Sequence, residues 1–261
     1  MAFTLYKDDP RDPPKREVSF DDLENKAFWC KLGEEKEKAF VKLMRGKIES
    51  DYAVQIHPEK GVNAYHPDLL LEYKGQEYIA EVKIKNSPLF FGKRYNVDPQ
   101  FALTMDLKDS FNYDRLLNQG IDLFIFAWVK WETHEMTTSY NYCESSYIVK
   151  PMRGIWVTRF SKLRALEKSN NPPEIHWYKE KFRRPPSYDL RADLETETRK
   201  WCDELLAFEP RLIEGELVKN ITSKGFMNNE GRQYTAGQSS ASYVFDLSDK
   251  TLFERVYFRM G

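Results

Sequence analysis

The stretch that most constrains this chain runs from Tyr65 to Lys85: Tyr-His-Pro-Asp-Leu-Leu-Leu-Glu-Tyr-Lys-Gly-Gln-Glu-Tyr-Ile-Ala-Glu-Val-Lys-Ile-Lys. Two apolar runs flank Lys74-Gly75, and the glycine supplies the backbone freedom a two-residue hairpin turn needs. With these two as the turn, Tyr73 faces Gln76. Counting outward, Leu70 faces Ile79 and Asp68 faces Glu81. Facing residues share a side of the sheet, and so do residues two apart on one strand. Asp68, Glu81 and Lys83 therefore share one side. Leu69, Leu71, Tyr78, Ala80, Val82 and Ile84 share the other, which is expected to pack on a core.

Two carboxylates opposed across a ladder repel each other. A divalent cation between them relieves the repulsion. Mg²⁺ takes oxygen ligands, commonly one or two carboxylates together with waters and substrate phosphate oxygens. A lysine beside such an ion can orient a water or stabilise charge building up on a phosphate. The pattern points to metal-assisted phosphodiester chemistry.

At Pro67-Asp68 and Glu81-Val82-Lys83 the sequence resembles the PD-(D/E)xK nuclease superfamily, which includes restriction endonucleases, junction resolvases and repair exonucleases. The resemblance implies that Asp68, Glu81 and the Val82 carbonyl bind Mg²⁺, with Mn²⁺ able to substitute, and that Lys83 assists attack by water. It implies a Glu on the first core helix that supports the site, for which Glu37 is the best match. E-x-K alone says little in a chain that is 31% charged, and it recurs at Glu24-Asn25-Lys26, Glu34-Glu35-Lys36 and Glu72-Tyr73-Lys74. Only Glu81-Val82-Lys83 lies in an apolar strand with its Glu opposite the Asp of a Pro-Asp pair.

The 261 residues suffice for one large domain or a core with an extension. Lys plus Arg is 40 and Asp plus Glu is 41, so no global charge draws the chain to nucleic acid, and any such surface must be a local basic patch. The three cysteines, Cys30, Cys143 and Cys202, are odd in number and far apart, which excludes a disulfide framework and a zinc site from the reading. No segment has the ~20 apolar residues of a membrane span. The N-terminus does not read as a signal peptide, and cytoplasmic location is the expectation.

Along the chain, residues 1–20 carry Pro10, Pro13 and Pro14 and read as a polar arm with little regular structure. Asp21 to Lys47 reads as a helix with Trp29, Gly33, Lys36, Phe40, Leu43 and Met44 near one face. Asp51 to His57 reads as a strand. After Lys85, the loop Leu89–Tyr95 mixes basic and aromatic groups, and Lys93 and Arg94 are candidates for phosphate contact. Phe101 to Asn118 reads as one helix, with Leu103, Leu107 and Phe111 inward and Gly120 as its stop. Ile121–Trp131 reads as a buried central strand. Glu132–Ser146 reads as a long polar excursion, Gly154–Phe160 as a strand, and Ser161 as the cap of a helix to Lys168.

These expectations give an α/β chain with a restriction-endonuclease-like core, a central mixed β-sheet flanked by helices, over residues 21–170, and a C-terminal extension over 171–261. In the extension, His176–Pro186 interleaves basic and aromatic residues, so Lys179, Lys181, Arg183 and Arg184 are candidates for nucleic-acid contact. Asp189–Phe208 reads as an amphipathic helix, Gly215–Ser240 as a mobile segment, and Tyr243–Phe245 and Phe253–Phe258 as strands returning to the body. The expected function is a Mg²⁺-dependent DNA nuclease, endonucleolytic, with a homodimer suiting double-strand cutting. The alternatives are an exonuclease, a nuclease directed at RNA, and a non-catalytic nucleic-acid-binding or assembly protein on the same fold.

Overall fold

The computed structural model describes residues 2–7, 16–18, 26–46, 48–61, 66–89, 91–132, 134–140, 143–177, 185–206, 211–213, 216–218, 226–227, 233–234 and 241–260, with side chains over 36–46, 48–60, 66–89, 91–132, 148–177, 185–200, 202–203 and 241–259. In chain order the elements are β1 (Ala2–Lys7), β2 (Arg16–Val18), α1 (Lys26–Gly46), β3 (Tyr52–Ile56), β4 (Leu69–Tyr73), β5 (Gln76–Lys85), β6 (Ala102–Asp106) and α2 (Leu107–Asn118). Then follow β7 (Phe124–Trp131), β8 (His134–Tyr140), β9 (Cys143–Val149), β10 (Met152–Arg159), α3 (Phe160–Glu167), β11 (Ile175–Trp177) and α4 (Tyr188–Leu206). The chain continues through β12 (Arg211–Ile213), β13 (Glu216–Val218), β14 (Phe226–Met227), β15 (Gln233–Tyr234), β16 (Ala241–Asp246) and β17 (Glu254–Met260). Gly215–Ser240, read from sequence as mobile, lies largely outside the described residues.

A six-stranded sheet, ordered β17-β10-β7-β5-β4-β3, forms the centre. The β5–β7 pair is parallel and the others are antiparallel, so the sheet is mixed. Strand β7 alternates between two cores. Phe124, Phe126 and Trp128 join one, with Phe40, Val41 and Met44 of α1, and Ile125, Ala127, Val129 and Trp131 join the other, with α2, α3 and α4. The sheet is therefore flanked by helices on both faces, the mixed α/β arrangement expected from the sequence. Each of those buried large side chains contributes about 1.5–3 kcal/mol by leaving water. Among the described residues no helix is long and apolar enough to cross a membrane.

The β4–β5 hairpin has the expected register. Tyr73 pairs with Gln76, Leu70 with Ile79 and Leu69 with Ala80. Lys74 and Gly75 both have positive φ, 51° and 74°, as a type I′ turn requires. The apolar side packs on a core as expected, and that core is shared with Phe40, Val41 and Met44 of α1, with Leu69, Leu71 and Ala80 fully buried. On the neighbouring pair, Tyr52 faces Tyr73 and their rings stack at 4.7 Å, an added lock on register.

Four expectations are corrected. Residues 2–7 and 16–18 of the expected unstructured arm are strands, in a four-stranded sheet ordered β2-β1-β8-β9. The pairing partner of β1 is the distant β8, which local polarity and prolines do not reveal. Glu132–Ser146 is mostly the β8–β9 hairpin of that same sheet. The expected helix from Phe101 is a strand and then a helix: Ala102–Asp106 pairs with β16, and α2 starts at Leu107. Leu103 and Leu107 sit four apart, which mimics a helical face, but both are buried in the same core from two different elements. Finally, Ser161 is not the cap of α3. It lies inside the helix, and Asp122 accepts hydrogen bonds from its N–H at 3.0 Å and its hydroxyl at 2.8 Å.

The C-terminal part is built into this body. Strand β17 completes one edge of the central sheet, β16 lies between β11 and β6, and α4 buries Leu194 and Cys202. A buried polar cluster ties α2 to α3. Arg164 donates to Asp114 at 2.8 Å and to Glu167 at 2.7 Å, and Ser110 donates to Glu167 at 2.8 Å. Burial pushes the Glu167 carboxyl up, and Ser110 and Arg164 offset this only in part. Burial also opposes the Asp114 charge, but Arg164 and Lys168 outweigh it and hold that carboxyl below its usual range. Among the described residues, Arg164→Met leaves Glu167 with only Ser110 and Asp114 with only Lys168 and Arg199, and is expected to cost about 3 kcal/mol. Urea denaturation measures this, and a loss under about 1 kcal/mol would show that the cluster is not what joins these helices.

Candidate active site

Strand β4 begins at Leu69, so the ladder with β5 opens at Asp68 and Glu81. There the Asp68 N–H donates to Glu81 Oε2 at 3.2 Å, and Asp68 Oδ2 accepts from the Val82 N–H at 3.4 Å. A strand residue sends its N–H and C=O to the same edge, so the Val82 carbonyl is directed to the Asp68 side as well. Lys83, two residues on, donates to Glu81 Oε1 at 3.0 Å. Asp68, Glu81, Val82 and Lys83 meet at this one strand end, as the register arithmetic requires.

Helix α1 brings Glu37. Phe40, three residues later, is fully buried against Phe126 and Trp128 at ring distances of 5.5 and 5.7 Å, which fixes the helix against the sheet. Glu37 does not meet Asp68 directly in the contacts described. The Lys60 ammonium stands between them and pairs with both carboxylates. Lys60 comes from a short 3₁₀ turn, Pro58–Gly61. The His57 N–H, just before it, donates to the Asp68 carbonyl at 2.9 Å.

Helix α2 brings a residue that sequence reasoning missed. Asp109, in its first turn, accepts from Lys83 at 2.8 Å. A carboxylate there is favoured by the helix dipole. The signal was present: Asp106 as a cap and Asp109 in the first turn, ahead of Phe111, Tyr113 and Leu116 with their helical spacing, read as a helix start. Recognising it would have broken the expected long helix and placed Asp109 near the site.

Four carboxylates, Glu37, Asp68, Glu81 and Asp109, thus share two ammonium groups, Lys60 and Lys83. These six groups alone sum formally to −2, which one Mg²⁺ would neutralise, and Asp106 interacts electrostatically with Asp109 and Lys83 beside them. The electrostatics agree. Burial raises the Glu81 carboxyl, Lys83 draws it down, and Asp68 and Asp109 add to the rise, leaving it above its ordinary value. Burial opposes the Lys83 charge, yet Asp109 and Glu81 hold its ammonium well above the ordinary range. Lys83 is a cation at neutral pH. Among the described residues no three His, Cys, Asp or Glu side chains converge as a metal cage. Two carboxylates and a carbonyl with open positions suit an ion that keeps waters and takes phosphate oxygens, so the donor set fits Mg²⁺.

Leu70 and Ile79, each two residues from the site's Asp68 and Glu81, line an open cleft of about 470 Å³ with Tyr78, Ile121 and Arg159, and no site residue lines it. Lys93 and Arg94 are the exposed residues of a 3₁₀ turn, Gly92–Tyr95, whose other two residues are buried, and the Arg94 guanidinium covers the Phe91 ring at 4.6 Å. No described contact joins them to Asp68, Glu81 or Lys83. Lys179, Lys181, Arg183 and Arg184 lie outside the described residues.

Lys85 continues along β5. Its buried amine donates to the Ala102 carbonyl, and burial draws its pKa from 10.5 down to about 7. Between those values the unfolded chain holds a proton that the folded chain sheds, so this group makes stability rise with pH. Lys85→Met is expected to be more stable than wild type below about pH 7, with the gap narrowing toward the ordinary lysine pKa. Urea denaturation at about pH 6, 8 and 9.5 checks this, and a constant gap over that range would contradict it.

Comparison with known proteins adds little to this geometry. No protein-family model matches the chain, and no curated protein matches it. Among solved structures, it is similar to Hjc, a Holliday junction resolvase from the archaeal hyperthermophile Archaeoglobus fulgidus, at 10% identity and a TM-score of 0.25, over 44% of this chain and 85% of that one. A TM-score that low carries no argument about substrate or mechanism.

Proposed function

We propose that this chain is a Mg²⁺-dependent nuclease of the PD-(D/E)xK type that hydrolyses phosphodiester bonds in DNA, acting as an endonuclease. The observation that carries this reading is the meeting of Asp68, Glu81 and Lys83 at one open strand end, in a cluster short of two positive charges. Asp68, Glu81 and the Val82 carbonyl hold the ion. When bound, Mg²⁺ supplies Lewis-acid stabilisation of the charge that builds on the scissile phosphate.

The chain's own groups do the remaining work. Asp109 and Glu81 favour the charged form of Lys83, which serves as a cation and hydrogen-bond donor that orients the attacking water or a phosphate oxygen. Asp109 acts through Lys83 by holding its ammonium in place. The buried surroundings strengthen these charge interactions relative to water. Lys93 and Arg94 offer exposed cations for contact with the DNA backbone, which positions a duplex without reading its sequence.

Plasmid cleavage with Mg²⁺, with and without EDTA, tests the reading beside Asp68→Asn and Lys83→Met. Wild type is expected to cut only with the ion, and each variant to lose about 10²-fold or more in rate with an unchanged far-ultraviolet circular dichroism spectrum. Cutting by Asp68→Asn at the wild-type rate would show that the site lies elsewhere.

A further inference from the structure

Nothing in the sequence singles out Lys60. In the structure it is the one described residue that joins Glu37 of α1 to Asp68 at the start of β4. It is not a loose surface lysine. Its side chain is 21% exposed, and those of Glu37 and Asp68 are 15% and 12% exposed. Its turn is pinned at both ends of a short path: the Lys60 N–H donates to the His57 carbonyl at 3.2 Å, and the His57 N–H donates to the Asp68 carbonyl. The lysine is thus anchored through the backbone of the very residue its ammonium contacts. Burial works against its charge, and Asp68 and Glu37 more than compensate.

An ammonium is a compact point charge with three donors. Two of them are used here by carboxylates from separate elements. That is the coordination an acidic pair otherwise offers to an ion.

We propose that Lys60 supplies the second positive charge of the site: its ammonium fills the cation position between Glu37 and Asp68, so the chain takes one divalent ion, at Asp68 and Glu81. This rests on the nuclease reading above. Glu37 is then a positioning residue. It holds Lys60 over Oδ1 of Asp68, and Oδ2, which accepts the long hydrogen bond from the Val82 N–H, is the oxygen whose remaining lone pair would face the ion. Lys60 has a donor left for a water or a phosphate oxygen, the role a second ion plays when two clamp a phosphate. Arginine would not replace it well, because its planar fork is wider than a point charge.

The test is the number of ions bound, read by calorimetric titration of Mn²⁺ into the full-length protein and counted independently by electron paramagnetic resonance of free Mn²⁺. Wild type is expected to bind one ion per chain. Lys60→Met is expected to bind two, and the added ion is expected to vanish in Lys60→Met combined with Glu37→Gln. Lys60→Gln keeps a donor between the carboxylates while removing the charge, and gives the same count should Lys60→Met not fold. One ion in both single Lys60 variants, with wild-type affinity, would overturn the assignment. So would two ions in wild type. No ion in wild type would overturn the nuclease reading itself, which keeps the two failures apart.

Discussion

The register of one hairpin governs this molecule. Side chains alternate across a strand, so a slip of one residue between β4 and β5 would turn Leu69, Leu71 and Ala80 away from α1 and scatter Asp68 from Glu81. Three local features prevent that slip. Lys74 and Gly75 take the positive φ angles of a two-residue turn whose twist matches the strands. Leu69, Leu71 and Ala80 fill a core with Phe40 and Phe126. Tyr73 stacks on Tyr52 of the next strand. Packing on one side of the hairpin therefore sets the chemistry on the other.

The site then follows from charge. The central sheet half-buries Glu81 and Lys83, whose side chains are 14% and 18% exposed, and α2 adds Asp109 and α1 adds Glu37. Buried carboxylates that outnumber their cations are costly unless something neutralises them. Glu81 shows the strain, its carboxyl pushed up by burial and by Asp68 and Asp109 despite Lys83. The cluster stays partly balanced because Lys60 and Lys83 each bridge two carboxylates. What remains is a deficit that one divalent ion would fill.

How much of this was legible in the sequence depends on how local each interaction is. The hairpin, its turn and the joint placement of Asp68, Glu81 and Lys83 could be read, because a period of two and a fixed turn leave no freedom. The buried β7 could be read from an unbroken apolar run. The N-terminal strands and β6 could not, because their partners lie far away in the chain, β8 for β1 and β16 for β6; the β8–β9 hairpin is local, but its polar sequence carries no clear apolar alternation. The two charged residues missed, Lys60 and Asp109, have causes of their own. Lys60 lies in a stretch with no periodicity, and Asp109 was hidden when a strand and a helix were read as a single helix. Glu37 was placed in the right region, but its link to the site runs through Lys60.

The central claim is that Asp68 and Glu81 hold a divalent cation at the open end of the β4–β5 ladder. Anomalous diffraction from crystals grown with Mn²⁺ tests it most directly. The account predicts one anomalous peak within coordination distance of the Asp68 and Glu81 carboxylates and the Val82 carbonyl. An ion bound elsewhere, or no peak from crystals with Mn²⁺ at saturating concentration, would contradict it.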